Sequence, residues 1–134
     1  MPAQEPGARF AAEIREQPAA LRRLLDGEDR IAAAAALMRE RGSRLVRMVG
    51  HGSSDNAASY GVYAFGLLPR LTAIRDSISL TVHYRTGLDM RGETAIGLSQ
   101  SGRTPDVVDY LARSRENGAV AVALTNDPAS ALAE

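Results

Sequence analysis

The chain has no cysteine and no lysine: all sixteen of its basic residues are arginine, set against sixteen Asp and Glu and two histidines. Without cysteine there is no disulfide framework and no thiolate chemistry, a usage that fits the cytoplasm. Without lysine no side chain can form a Schiff base with a carbonyl substrate. The arginine bias itself reads as base composition of the source genome. No apolar run approaches the ~20 residues of a membrane span, and the start carries no signal-peptide pattern, so no membrane is expected. The formal net charge of zero argues against a general nucleic-acid surface, which needs many uncompensated cations. Two histidines without a carboxylate cluster give no metal site, and nothing in the composition calls for a cofactor.

What is present is an ordinary globular composition. A chain of 134 residues, 45% apolar and 24% charged, makes one domain with a single core. Residues 1–8 (MPAQEPGA) carry two prolines and a glycine and predict a frayed arm. Residues 9–27 read as two short helices, with Pro18 in the first turn of the second and Gly27 at its end. DRIAAAAALMRERG predicts a strong helix, with Ile31, Ala34, Ala35 and Met38 on one face and Gly42 as its stop.

Beyond Gly42 strands alternate with helices. Leu45–Val49 is a short β-rich run ending at Gly50, followed by a helix capped by Ser or Asp and closed by Pro69. Leu71–Asp76 and Thr94–Ser99 read as further strands, and a helix runs from Pro105 to about Asn117. Ala119–Thr125 is continuous and apolar, as expected of a strand covered on both faces. This alternation predicts βαβ units and a parallel sheet. Ser77–Tyr84 alternates apolar and polar like a strand, yet follows a strand with no turn between.

In such a sheet ligands bind beyond the carboxyl ends of the strands. Three loops should gather there: GHGSSDN, SQSGRTPD and TNDPAS. The first two are dense in hydroxyls and run straight into a helix, whose unpaired N–H groups and partial positive charge suit an anion. Thr104 as cap and Pro105 as first helical residue fix one such terminus. Ser99, Gln100, Ser101 and Thr104 then add side-chain donors, and Gly102 permits a positive φ or a close backbone approach. For either loop alone the plainer alternative stays open, that these residues only cap a helix and turn the chain.

Other anion motifs fit less well. A mononucleotide P-loop needs its lysine. A dinucleotide fingerprint starting at Gly50-His51-Gly52 would put Asp55 where its third glycine belongs, and Asp76 comes too late for the ribose acid. GLSQS nearly spells a nucleophile elbow, but Ser101 replaces the final glycine and both histidines, His51 and His83, precede the serine.

GHGSSDNAASYG, LSQSGRTPD and ALTNDPASAL, preceded by EIREQPAAL, resemble the sugar isomerase (SIS) domain family. The likeness is to the first SIS domain in the isomerase half of glucosamine-6-phosphate synthase, and more to the relatives lacking its glutamine-hydrolysing domain. It runs from about Glu13 to the last residue. The resemblance implies a three-layer α/β/α sandwich around a parallel, flavodoxin-like sheet, and a phosphosugar site. Ser99, Gln100, Ser101 and Thr104 match the residues that hold the sugar phosphate, with Gly102 in their loop. Gly52, Ser53 and Ser54 match the first loop that completes the pocket. His51 stands where the synthase usually has Cys, and Arg103 where it usually has Glu; Arg103 is expected to face solvent. The resemblance makes Ser77–Tyr84 a loop and short helix rather than a strand.

The family's domain continues with another strand and helix and a second SIS domain. The Glu, His and Lys the synthase uses for ring opening and proton transfer lie in that part, so no catalytic residue is assigned to this chain. Residues 1–26 are expected to be an arm and short helices, and 27–134 a SIS domain that stops inside a helix begun by Asp127-Pro128. The expected ligand is a hexose 6-phosphate, fructose 6-phosphate or glucosamine 6-phosphate, and the expected partner a second copy or a second SIS domain. The parent would be an aminotransferase/isomerase or an amino-sugar-phosphate deaminase. Two rivals are a sugar-phosphate sensor module of a transcription regulator and a domain kept only for dimerisation. General-base work by His51 with Asp55, the nearest carboxylate in its loop, is a further minor alternative.

Overall fold

The computed structural model describes residues 6–134; most of the arm expected over residues 1–8 lies outside them. The chain divides into two compact units that meet at Ala35/Ala36. In the first, helix α1 (Ala8–Leu25) is continuous and carries Pro18 in its interior. Two short helices were expected there. Proline forfeits one intrahelical hydrogen bond and crowds the preceding turn, but the Ala, Leu, Glu and Arg on both sides are strong helix formers and the helix runs through. Helix α2 (Glu28–Glu40) spans the boundary between the units. It ends where Gly42 takes a φ of +65° and the Ser43 amide donates back to the Met38 carbonyl, a glycine-terminated helix end.

Residues 36–134 hold a parallel four-stranded sheet. The strands are β1 (Leu45–Gly50), β2 (Thr72–Arg75), β3 (Glu93–Leu98) and β4 (Val120–Leu124), in the order β2-β1-β3-β4. Helix α3 (Ser53–Leu67) joins β1 to β2 and helix α4 (Pro105–Glu116) joins β3 to β4. Strand residues alternate between two cores. Val46, Met48, Ile96 and Leu98 pack with Ala58 and Phe65 of α3. Val49 and Ala95 pack with Val107, Tyr110 and Leu111 of α4. The result is the expected layered α/β arrangement.

Ser77–Tyr84 is the loop and short helix that the resemblance implies, not the strand its alternation suggests. A π-helical turn, η1 (Ser79–His83), follows β2, and Ile78 and Val82 pack together on the α4 core while Leu80 is exposed. Strand alternation would have put all three on one face; a spacing of four selects the helical solution. Asp76 supplies the turn. Its carboxylate accepts from Arg47 at 3.0 Å, from the Tyr110 hydroxyl at 2.7 Å and from the Ser77 amide at 2.8 Å, drawing the chain inward instead of onward along the sheet.

Two other expectations are corrected. Strand β4 is half-buried rather than fully covered: Val122 packs on one core and Ala121 and Ala123 on the other, but Leu124 is exposed. It lies at an edge of the sheet, paired with β3. Asp127-Pro128 begins no helix. Residues 127–133 form successive turns, in which the Leu132 amide donates to the Gly102 carbonyl at 3.0 Å.

Candidate functional site

In the order β2-β1-β3-β4 the connections leave β1 and β3 toward opposite faces, which makes the gap between them the switch point where parallel sheets bind ligands. The register pairs Gly50 with Leu98, the last residues of the two strands. The hydroxyl-rich loops that follow therefore start side by side, and each leads into a helix: α3 from Ser53, α4 from Pro105.

The first loop turns on Gly52, whose φ of 59° and ψ of −124° suit glycine alone. Gly52 itself is the residue before α3, so no side chain caps the helix, contrary to the Ser or Asp cap expected. Ser53 and Ser54 form its first turn, with Ser53 exposed and Ser54 half-buried.

The second loop is held from both sides. Ser99 is buried, its amide donates to the Leu124 carbonyl, and its hydroxyl lies 2.9 Å from the Thr104 hydroxyl. Thr104 precedes α4 as expected, but its side chain goes to Ser99 instead of capping the helix. Gln100 and Ser101 are exposed. The amides of Ser101 and Thr104 donate no hydrogen bond among the described residues. Gly102 has a φ of +63°, and a Cβ there would overlap the Ser130 side chain and come within 2.8 Å of Thr125 Oγ1. Only glycine fits.

A brace behind this loop went unrecognised in the sequence. The Thr125 hydroxyl and the Asn126 amide both donate to the Gln100 carbonyl, Leu132 holds Gly102, and Ser130, 2% exposed, packs on the glycine. TNDPAS was legible as a loop of the same edge; its contact with the second loop is long-range and leaves no local signal. Arg103 is 74% exposed, with its guanidinium 3.3 Å from the Asp127 carboxylate.

The minor alternative that paired His51 with Asp55 is not the arrangement formed. Asp55 is not beside His51; its carboxylate is gripped by Arg75 at 2.5 and 3.0 Å. His51 faces Asp106, the second residue of α4, with Nε2 to Oδ2 at 3.7 Å. No group of His, Cys, Asp and Glu suited to a metal ion occurs among the described residues, and no helix described is long and apolar enough to cross a membrane.

Behind the site, Arg47 of β1 joins Asp76, Glu93 and, through Asp76, the buried Tyr110 into one half-buried network. Hydrogen bonding to Glu93 raises the Arg47 pKa above its ordinary value, against the opposing effect of burial. Burial, then the bond to Asp76, pushes the Tyr110 phenol well above its usual range.

Comparison with known proteins places this geometry. The family model of the SIS domain matches residues 31–134. A glutamine–fructose-6-phosphate aminotransferase (isomerizing) of Symbiobacterium thermophilum is 34% identical over 131 residues, 90% of this chain and 21% of its own length. One from Arabidopsis thaliana is 37% identical over 95 residues, 69% of this chain and 14% of its own. The chain thus spans about a fifth or less of these curated relatives. A crystal structure of a proposed phosphosugar isomerase from Silicibacter pomeroyi superposes with a TM-score of 0.86 at 40% identity, covering 93% of this chain and 38% of that one.

Proposed function

The chain belongs to the SIS domain family, and from that premise we propose that it binds a hexose 6-phosphate, fructose 6-phosphate or glucosamine 6-phosphate, between the loops after β1 and β3. The observation that carries this reading is the pairing of Gly50 with Leu98, which starts two donor-rich helix termini side by side. The phosphate sits against the N-terminus of α4, taking the free amides of Ser101 and Thr104 and the side chains of Ser99, Gln100, Ser101 and Thr104, with Gly102 allowing the approach. Gly52, Ser53 and Ser54 close the other side and reach the sugar. Donors converging on a helix N-terminus suit a dianion.

The relatives named above as aminotransferases and isomerases support a parent activity of ketose–aldose interconversion with amination or deamination at C2. This chain supplies the phosphate-holding half, completed by a second SIS domain or a second copy. Apart from His51, which faces Asp106, its loops offer hydroxyls and an amide, which are poor bases near neutral pH; the resemblance puts the groups that move a proton between C1 and C2 outside this chain. The test is a calorimetric titration of fructose 6-phosphate beside free fructose. The phosphorylated sugar should bind at least about tenfold tighter, because charge-assisted hydrogen bonds are the strong ones. Equal affinity, or no binding by folded protein, would refute the reading.

A further inference from the structure

Asp106 sits awkwardly for a phosphate site. A carboxylate in the first turn favours the helix dipole, but this is the turn that the proposed phosphate approaches, and two anions there repel. The neighbouring charges already have partners: Asp55 holds Arg75, and Arg103 faces Asp127. Among the described residues, His51 is the one basic group within 4 Å of Asp106, at 3.7 Å. It comes from the opposite loop, and both side chains are about half exposed, His51 at 54% and Asp106 at 44%, so ligand and solvent reach them.

We propose that His51 and Asp106 form a charge pair across the mouth of the site, in which the imidazolium masks the carboxylate and admits the phosphate. His51 is thus a positioning residue for the ligand. The inference rests on the hexose 6-phosphate reading and adds to it a charge requirement at residue 51. The mask exists only while the imidazole is protonated, so the pair strengthens phosphate binding on the acidic side and fades on the alkaline side. An arginine at the same place would hold the mask at every pH.

The experiment is a fructose 6-phosphate titration between about pH 5.5 and 8.5 on the wild-type chain, His51→Gln, His51→Arg, Asp106→Asn and the double variant His51→Gln/Asp106→Asn. The second ionisation of the phosphate, near pH 6, changes the ligand's own charge in every titration, so each variant is compared with the wild type at the same pH. At the acidic end the wild type should bind about threefold to fivefold tighter than His51→Gln, the range of an exposed ion pair, and the two should converge at the alkaline end. His51→Arg should stay tight throughout. In the Asp106→Asn background, His51→Gln should cost little. Parallel pH profiles for wild type and His51→Gln, or an equal cost in both backgrounds, would overturn the pair while leaving phosphosugar binding intact. Absence of binding by all five at every pH would overturn the phosphosugar reading and the pair with it.

Discussion

At the scale of single residues, the second loop separates groups that hold its shape from groups that would hold the proposed phosphate. Gly102 belongs to the first kind. Its positive φ and its contact with Ser130 leave no room for a side chain. Gly102→Ala should therefore lower fructose 6-phosphate affinity by at least about tenfold, a loss of ~1.4 kcal/mol, in protein that still folds by circular dichroism; unchanged affinity would show that the loop shape is not required. Ser101 and Thr104 belong to the second kind. Ser101→Ala and Thr104→Ala should each weaken binding by about 1–3 kcal/mol, as expected when one donor to a charged group is lost. Arg103→Ala should cost far less, since the guanidinium is turned to Asp127. An Arg103→Ala loss as large as that of Thr104→Ala would make Arg103 a phosphate ligand. These donors were legible in the sequence because hydroxyls, a glycine and a proline at a helix start are local signals. The hydroxyl pairing of Ser99 with Thr104 and the brace from Ser130 were not, because they depend on how the chain closes around them.

Among the elements, most of those with a local signal were read correctly, and the turn after β2, set by tertiary contacts, was legible only through the family resemblance. The glycine at the end of α2 and the Thr104-Pro105 start of α4 are signals within a few residues. Pro18 is also a local signal, and it misled, because the helix formers around it outweigh one lost hydrogen bond. The turn after β2 is decided by Asp76, whose partners Arg47 and Tyr110 are 29 and 34 residues away. The same contact yields a pH prediction. Because burial and Asp76 raise the Tyr110 pKa on folding, the folded chain keeps a proton that the unfolded chain loses near pH 10. Stability from this group is full below about pH 10 and falls as the pH rises above it. Tyr110→Phe should cost about 1–3 kcal/mol at neutral pH, from the lost bond to a carboxylate. Its stability should then decline less steeply on the alkaline side. Denaturant midpoints measured across that range check both; parallel alkaline limbs would remove Tyr110 as the cause.

For the whole molecule, the strand order β2-β1-β3-β4 follows from alternating strands and helices with one switch of direction, and it positions the proposed site. It sets two helix starts at one edge of the sheet. It places the half-buried Arg47 network on the α4 side of β1, where the network ties β2, β1, β3 and α4 together beneath that edge. An isomerisation assay on this chain alone, following fructose 6-phosphate to glucose 6-phosphate, should show no turnover above background, because on the proposed reading the loops hold a phosphate and His51 serves as the charge partner of Asp106, not as the base. Turnover that vanishes in His51→Ala would place that base within the chain. The central claim, that a hexose 6-phosphate lies between the loops after β1 and β3, is tested most directly by following backbone amide resonances while fructose 6-phosphate is added. The largest shifts should fall on Gly52–Ser54 and Ser99–Thr104, with little change at Arg41, Arg91 and Arg115 at the other end of the sheet. Shifts centred on those arginines, or none in the two loops, would contradict the account.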